Sequence, residues 1–260
     1  MVGVTENGRR NSGGTRPARH ETAVLLAAHG DRGGGGQNRA LIEAVGYLHR
    51  EGDFLAISGG VLKGESLLED ALAELVRQGP ARILVYPLFM ADGYFAREVL
   101  PERLSAGAAG VPFDILAPLG ADPELPGLML GRARMLALAH SFDPGATRLL
   151  IVGHGSKFSP ASADATRRLA DQIRAGGGNE FAVAETAFLE EAPLVDDALA
   201  DDPARPTIVL GFFSGDGMHA GDDIPRAIAR AGATAVYSGP IGTGEEIPAM
   251  IARSLEAACN

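Results

Sequence analysis

The sequence predicts an α/β fold made of two similar halves, each a mainly parallel sheet flanked by helices. Short apolar runs end in glycine or loop residues and alternate with segments of helical spacing, which is typical of parallel strands covered by helices. The order of these landmarks then repeats 122–127 residues further along the 260-residue chain. A repeat of this length indicates a duplicated domain, because solenoid repeats are only about 20–50 residues long.

Composition and charge exclude several classes of protein. With 46% hydrophobic and 22% charged residues, the chain has the composition of a globular protein. The net charge of −10 argues against nucleic acid as the main partner, because phosphate backbones attract basic surfaces. No apolar run approaches the roughly 20 residues of a membrane helix, and no secretory signal is recognisable, so we expect a cytoplasmic protein without a membrane partner. Cys259 is the single cysteine, so metal chemistry must depend on His, Asp, Glu or the main chain.

The chain divides into three segments. Residues 1–20 contain four arginines and few apolar residues, which predicts a disordered tail. We place an N-terminal half at 21–145 and a C-terminal half at 146–260. Two such halves can build internally the cleft that a one-domain protein builds with a partner, so the sequence leaves open a monomer or a homodimer.

The first half contains strand and helix signals in alternation. Apolar runs predict strands at 23–28, 54–61 and 82–89. Helical spacing predicts one helix over 38–50 and a second that begins at Ser66 and stops at Gly79 and Pro80. Ser66 and Glu69 have the spacing of a capping box, in which each side chain accepts from the other residue's backbone N–H.

The second half repeats this pattern. Apolar runs at 149–153, 181–189 and 207–213 match the three strands of the first half. Leu194-Val-Asp-Asp-Ala-Leu199 echoes Leu67-Leu-Glu-Asp-Ala-Leu72, Pro225 falls where Pro101 falls, and Pro118-Leu-Gly120 returns as Pro240-Ile-Gly242. Chance could produce one such echo, but several in the same order indicate a common origin.

Three of the six histidines lie in loops that directly follow predicted strands. His29 and His154 follow the first strand of each half, and His219 follows the third strand of the second half. In an open α/β sheet, ligands bind outside the carboxyl ends of the strands. Since Glu190 follows the second strand of the same half, we expect His154, Glu190 and His219 to meet at one rim.

Two imidazoles and a carboxylate at one rim suit two kinds of chemistry. They can hold a divalent metal, or they can take protons from a bound substrate near neutral pH. The first half has His29 at the first position, Lys63 in place of Glu190 and Phe95 in place of His219.

Other interpretations of the same residues remain open. A His-Gly pair after a strand is often a feature of a turn. The glycine run at 33–36 could cradle a phosphate at a helix N-terminus, although it lacks the required spacing. A phosphohydrolase with His29 as its nucleophile is a further alternative, which the alanine before that histidine disfavours.

Three segments of the second half resemble the signature segments of the class II tetrapyrrole chelatases. They are His154-Gly-Ser-Lys157, Phe188-Leu-Glu190 before Pro193, and Gly217-Met-His-Ala-Gly-Asp-Asp-Ile-Pro225. The chain is most similar to sirohydrochlorin chelatases of the CbiX/SirB type, which insert cobalt or ferrous iron. The first half resembles the same family in Ala28-His-Gly-Asp-Arg32 and in Pro87-Leu-Phe-Met-Ala-Asp-Gly93.

The resemblance implies an α/β chelatase fold and a lyase that acts in cobalamin or siroheme biosynthesis. It implies that His154 and His219 handle the metal and accept protons, while Glu190 relays protons. The residues that would contact the macrocycle are His29, Arg32, Ser156 and Lys157. The partners implied are a tetrapyrrole and a divalent metal ion, Co²⁺ or Fe²⁺, with no cofactor beyond that metal substrate.

The resemblance raises two points, one about the residues missing from the first half and one about the charge around the substrate. The first half lacks the acidic residue and the second histidine, which leaves open a homologue that binds a tetrapyrrole or a metal without turnover. An acidic chain must also offer a locally basic rim to a substrate rich in carboxylates. Arg32, Lys63, Arg97 and Lys157 are the candidates for that rim.

Overall fold

The structure contains two four-stranded parallel sheets, one in each half. It is a computed structural model that describes residues 17–30, 38–215, 217 and 219–260, with His219 described by its backbone only. The first sheet has the order β2-β1-β3-β4, and its strands are β1 (Thr22–Ala28), β2 (Ala56–Val61), β3 (Arg82–Pro87) and β4 (Phe113–Ile115). The second has the order β6-β5-β7-β8, and its strands are β5 (Arg148–Gly153), β6 (Val183–Phe188), β7 (Thr207–Gly211) and β8 (Ala235–Pro240). The predicted duplicated α/β fold is confirmed.

Helices cover both faces of each sheet. In the part of the chain that the structure describes, they are α1 (Arg39–Glu51), α2 (Leu68–Arg77), α3 (Leu100–Gly107), α4 (Leu125–Ala139), α5 (Ala161–Ala175), α6 (Val195–Asp201), α7 (Ile224–Ala231) and α8 (Ile247–Cys259). Short π-helices precede α3 and α7, at Phe95–Val99 and His219–Asp223. None of the helices in the described ranges is long and apolar enough to cross a membrane.

The two strands at the centre of each sheet are buried along their whole length. Every residue of β1, β3, β5 and β7 is buried, which explains why these strands are continuous apolar runs in the sequence. The outer strands β4 and β8 were not predicted individually. Their residues are mostly only half-buried, so they lack the apolar run that marks the central strands.

The two halves share one core because each contributes a helix to the other. Helix α4 ends the first half and packs against α5, β7 and β8 of the second. Helix α8 ends the second half and packs against α1 and β3 of the first. The apolar side chains of α1, α4, α5 and α8 lie between the two sheets in a single cluster with both. Helices α2 and α3 cover the outer face of one sheet, and α6 and α7 the outer face of the other.

Two ion pairs join the exchanged helices α4 and α8. In each pair, an arginine of one helix binds the glutamate that precedes the other helix. Arg253 of α8 donates to Glu124, the residue before α4, at 2.9–3.0 Å from Nε. Arg132 of α4 donates to Glu246, the residue before α8, at 2.8 Å. The hydrogen bond from Arg253 lowers the pKa of Glu124, although burial opposes the shift. A contact that runs in both directions is the pattern of an isologous interface, so the halves meet as the subunits of a symmetric dimer would.

The described chain begins earlier than the sequence predicts. Of the predicted tail at 1–20, residues 1–16 lie outside the described part of the structure. Residues Arg19–Glu21 form a 3₁₀ turn before β1, and Arg19 donates to Glu256 of α8 at 3.0 Å. The last residues of the segment predicted as a tail therefore contact the helix exchanged from the other half.

The predicted capping box at Ser66 is wrong. Ser66 has a φ of +61°, and α2 begins at Leu68 without a side-chain cap. The carbonyl of Ser66 instead accepts from the backbone N–H of Val61, which ties the loop to the end of β2. Leu67 therefore occupies the N-cap position, and Ser66 lies one residue before it in a left-handed conformation, so the helix begins later than its sequence signal.

A Thr–Arg contact joins the first and third strands at the amino end of each sheet. In the first sheet Arg82 of β3 donates from Nε to the hydroxyl of Thr22 on β1, at 3.3 Å. In the second, Arg148 of β5 donates in the same way to Thr207 of β7, at 3.2 Å. Each pair is directly opposite in the parallel register, and all these side chains are buried.

A buried carboxylate joins the two halves through hydrogen bonds. Asp122 Oδ2 accepts from the hydroxyl of Tyr86 at 2.8 Å and from Ser254 of α8 at 2.6 Å, and Oδ1 accepts from the backbone N–H of Glu124. Burial first and Asp122 second raise the pKa of Tyr86, so the phenol remains a neutral donor. This network fixes the end of β3 relative to the exchanged helix.

We expect Tyr86→Phe to lower the free energy of unfolding by about 1–3 kcal/mol, because it removes a hydrogen bond to a buried carboxylate. Urea unfolding followed by circular dichroism measures the change. Tyr94→Phe is the matched control, since Tyr94 is 62% exposed and should change stability by less than about 0.5 kcal/mol. Equal effects of both substitutions would contradict a stabilising role for the network.

Candidate functional site

The predicted site residues follow three adjacent strands at one edge of the second sheet. His154 follows the central strand β5, Glu190 follows β6 on one side, and His219 opens the π-helix after β7 on the other. Parallel strands present their carboxyl ends at the same edge. The backbone N–H of Glu190 donates to the carbonyl of His154 at 3.1 Å, so the ladder of β5 and β6 continues to these residues.

The glycine after each strand-end histidine is required by the turn. Gly155 has a φ of +71°, and a Cβ there would lie 2.9 Å from Phe188 Cβ and Glu191 Cγ. Gly30 has a φ of +88°, and its Cβ would lie 1.8 Å from the carbonyl oxygen of Lys63. The His-Gly pair is therefore a turn feature, as one interpretation of the sequence held, and this turn is also what places the histidine at the sheet edge.

The contacts of His154 define which of its nitrogens carries hydrogen. Nδ1 lies 3.1 Å from the carbonyl oxygen of Gly155 and 3.9 Å from Oε2 of Glu190. Both neighbours are acceptors, so the hydrogen is assigned to Nδ1 and Nε2 is the acceptor nitrogen of the neutral ring. The side chains of His154 and Glu190 are 40% and 45% exposed, so both are accessible to solvent and to a ligand.

The first half keeps the backbone of this site. The N–H of Lys63 donates to the carbonyl of His29 at 3.1 Å, as Glu190 donates to His154. Phe95 opens a π-helix in the position that His219 occupies, and both π-helices begin with hydrogen bonds to a glycine carbonyl, of Gly93 and Gly217 respectively. The correspondence of Lys63 and Phe95 to Glu190 and His219 that the sequence suggested is thus structural.

At the corresponding edge of the first half, the side chains of His29, Lys63 and Phe95 contact one another. They do not form a counterpart of the polar set, the name used below for His154, Glu190 and His219. The rings of His29 and Phe95 pack edge to face with centroids 4.4 Å apart, and the ammonium of Lys63 lies 5.9 Å from the Phe95 centroid. A phenyl ring and an ammonium group provide no lone pair for a metal. Among the described side chains, which exclude that of His219, no group of three or more His, Cys, Asp or Glu residues could hold a metal ion.

The loop after His154 is held by its own side chains. The backbone N–H of Ser156 donates to Glu191 at 3.2 Å, and the Ser156 hydroxyl accepts from the N–H of Phe158 at 3.1 Å. Lys157 lies between them with an exposed side chain. Glu191 is a residue whose role sequence reasoning missed, and its only signal was its place beside Glu190.

The residues expected to form a basic rim have different environments. Arg32 lies outside the described residues. Arg97 is exposed and donates to Asp92 at 2.8 Å, so part of its charge is neutralised nearby. Lys63 and Lys157 are both exposed at strand ends, one in each half.

The protein is an internally duplicated α/β protein with paired sheets, equivalent π-helices and strand-end histidines. Only one half has the polar set. The family model described as CbiX matches residues 23–136 and 148–258. The chain therefore belongs to the CbiX family, and the match covers both halves separately.

Three known proteins illustrate this similarity. The chain is 25% identical over 228 residues to the probable sirohydrochlorin cobaltochelatase of Halobacterium salinarum, covering 78% of this chain and 75% of that protein. It is 34% identical to the solved structure of CbiX, the terminal enzyme for biosynthesis of siroheme in denitrifying bacteria, with a TM-score of 0.72 and coverage of 90% and 98%. SirB from Bacillus subtilis with Fe³⁺ shares the fold at 18% identity, with a TM-score of 0.78 and coverage of 92% and 95%.

We expect Gly155→Ala to lower the free energy of unfolding by more than about 1 kcal/mol, because alanine is strained at a positive φ and its methyl group meets Phe188 and Glu191. Thermal or urea unfolding measures the loss. Gly127→Ala is the matched control, since nothing lies within 4 Å of a Cβ at that position. In helix α4 alanine should leave stability unchanged or raise it by up to about 1 kcal/mol. A Gly155→Ala protein as stable as wild type would refute the requirement for glycine.

Proposed function

We propose that this protein is a sirohydrochlorin chelatase, a lyase that inserts Co²⁺ or Fe²⁺ into the macrocycle in cobalamin or siroheme biosynthesis. The observation that carries the proposal is the convergence of His154, Glu190 and the residue His219 on one sheet edge. That convergence occurs in a chain whose two halves both match the CbiX family. The chemistry of imidazole and carboxylate groups at such an edge suits a reaction that exchanges protons for a metal.

Metal insertion requires the loss of two protons from pyrrole nitrogens. In the tautomer assigned to His154, Nε2 is a base with an ordinary lone pair, which can accept a proton or hand over a metal ion. The carbonyl of Gly155 and the carboxylate of Glu190 both lie on the Nδ1 side, where a proton leaves the ring once Nε2 has accepted one. We assign the same metal-handling and proton-accepting role to His219, which follows β7 on the other side of β5.

Glu190 is suited to carry the protons away. Its carboxylate lies 3.9 Å from His154 Nδ1 and is 45% exposed, so a proton released from the ring can pass through it to water. The carboxylate also keeps a negative charge beside the approaching cation. An ammonium group at this position, such as that of Lys63 in the first half, would repel that cation.

The substrate carries carboxylates, and the first-half site suits their recognition better than it suits a metal. We assign macrocycle contacts to His29, Arg32, Ser156 and Lys157, of which Lys157 offers an exposed cation beside the polar set. The ammonium of Lys63 adds a cation on the first half. We propose action in the cytoplasm, as a monomer or homodimer, with no cofactor beyond the metal substrate.

A second candidate function has one observation in its favour. Phe95 and Lys63 stand where a symmetric pair of sites would have a second histidine and a glutamate, and the ring of Phe95 packs against His29. This loss suits a protein that binds a tetrapyrrole without turnover. Tight macrocycle binding without acceleration of metal insertion would favour this function over catalysis.

The roles of His154 and His219 are tested by following the insertion of Co²⁺ and Fe²⁺ into sirohydrochlorin by absorbance. We expect His154→Ala and His219→Ala each to reduce kcat/KM at least about 100-fold, the usual contribution of a positioned acid or base. His140→Ala is the matched control, because His140 lies at the end of α4 away from the strand edge. Full activity in both site variants would contradict the assignment.

The stoichiometry of metal binding tests the asymmetry of the halves. We expect one Co²⁺ per wild-type chain by equilibrium dialysis, and two after Lys63→Glu with Phe95→His, because these substitutions restore the second-half set around His29 on an equivalent backbone. Phe95→Leu with Lys63→Met is the control, since it changes both residues without adding ligands. An unchanged stoichiometry in the restored chain, with its fold intact by circular dichroism, would show that more than these side chains distinguishes the halves.

A further inference from the structure

One large apolar side chain beside the polar set is almost completely exposed. Phe158 is 97% exposed, more than any other large hydrophobic residue in the described part of the chain. It follows His154 by four residues in the loop between β5 and α5. A phenyl ring in water forgoes the stabilisation of burial, so a ligand that covers Phe158 would gain that stabilisation.

The loop that carries Phe158 is anchored rather than loose. The N–H of Phe158 donates to the Ser156 hydroxyl, and the N–H of Ala161 donates to Ser159 at 3.4 Å. The N–H of Gly155 donates to the Ser162 hydroxyl of α5 at 3.2 Å. These hydrogen bonds hold the backbone on both sides of the ring, so the exposure of Phe158 is built into the loop.

A loop of the other half borders the same place. A Cβ at Gly93 would lie 3.2 Å from the Cβ of Ala161, so the loop after β3 reaches the beginning of α5. The next residue of that loop, Tyr94, is 62% exposed. Strand-end loops from both halves therefore meet beside the segment with Phe158, and each presents an exposed aromatic residue.

We propose that Phe158 packs against the flat face of the tetrapyrrole and binds it beside His154. This proposal rests on the chelatase function and names a residue that contributes to the affinity for its substrate. The macrocycle is a large apolar ring with carboxylates at its edge. Phe158 provides an apolar surface for the ring, while the adjacent Lys157 provides an exposed cation for the carboxylates.

The test compares Phe158→Ala, Phe158→Tyr and Leu138→Ala. Leu138 is 84% exposed on α4 and serves as the control for losing an exposed apolar side chain. We expect Phe158→Ala to raise the Kd for metal-free sirohydrochlorin, measured by fluorescence titration, and the KM for insertion by about tenfold, the loss expected for one aromatic contact. The kcat and the Kd for Co²⁺ alone should stay within about twofold, because the contact is made equally with substrate and transition state. Phe158→Tyr should restore wild-type values.

The possible results separate this proposal from the function on which it depends. Wild-type Kd and KM in Phe158→Ala, with insertion by the wild-type protein intact, would overturn the role of Phe158 and leave the chelatase function standing. A wild-type protein that neither binds sirohydrochlorin nor inserts metal would overturn both. An equal rise in KM for Leu138→Ala would show that the effect does not come from a contact at the site, and would also overturn the role.

Discussion

In both sheets the central strand is hydrogen-bonded to a parallel strand on each side, and this bonding continues just past the strand ends. The N–H of Lys63 reaches the carbonyl of His29, and the N–H of Glu190 reaches that of His154. The residue at this position, Lys63 or Glu190, is therefore held beside the histidine. The glycine turns at Gly30 and Gly155 then direct the chain away from the sheet. The chemistry of each half depends on side-chain identity, because the hydrogen bonds at the strand ends are the same in both.

The halves have diverged while the space between their elements has stayed filled. Asp122 of the first half corresponds to Gly244 in the second, where a Cβ would lie 2.2 Å from a guanidinium nitrogen of Arg132. The volume supplied by one residue in one half comes from a different element in the other. Close packing explains this compensation, because a core leaves few voids larger than a water molecule.

Much of the fold could be predicted because buried central strands and a long repeat leave direct signals in the sequence. The elements that were missed lack such signals. Strand β4 has three residues and is only partly buried, while nothing local in α4 or α8 indicates which sheet it covers. The Ser66 capping signal was misleading because the loop after β2 places Ser66 in a left-handed conformation, one residue before the N-cap. For the candidate site, strand position predicted where His154 and Glu190 lie, but no pattern revealed that Glu191 anchors the neighbouring loop.

The two Thr–Arg contacts lie at different register positions of their halves. Thr22 corresponds to Thr147, because each hydroxyl donates to the carbonyl four residues earlier and each carbonyl accepts from the neighbouring segment, at Leu55 and Ala182 respectively. Arg148 therefore corresponds to Ala23, which stands opposite Ile83 and not opposite Arg82. The same interaction joins the first and third strands of both halves, but duplication of a single ancestral contact does not account for it.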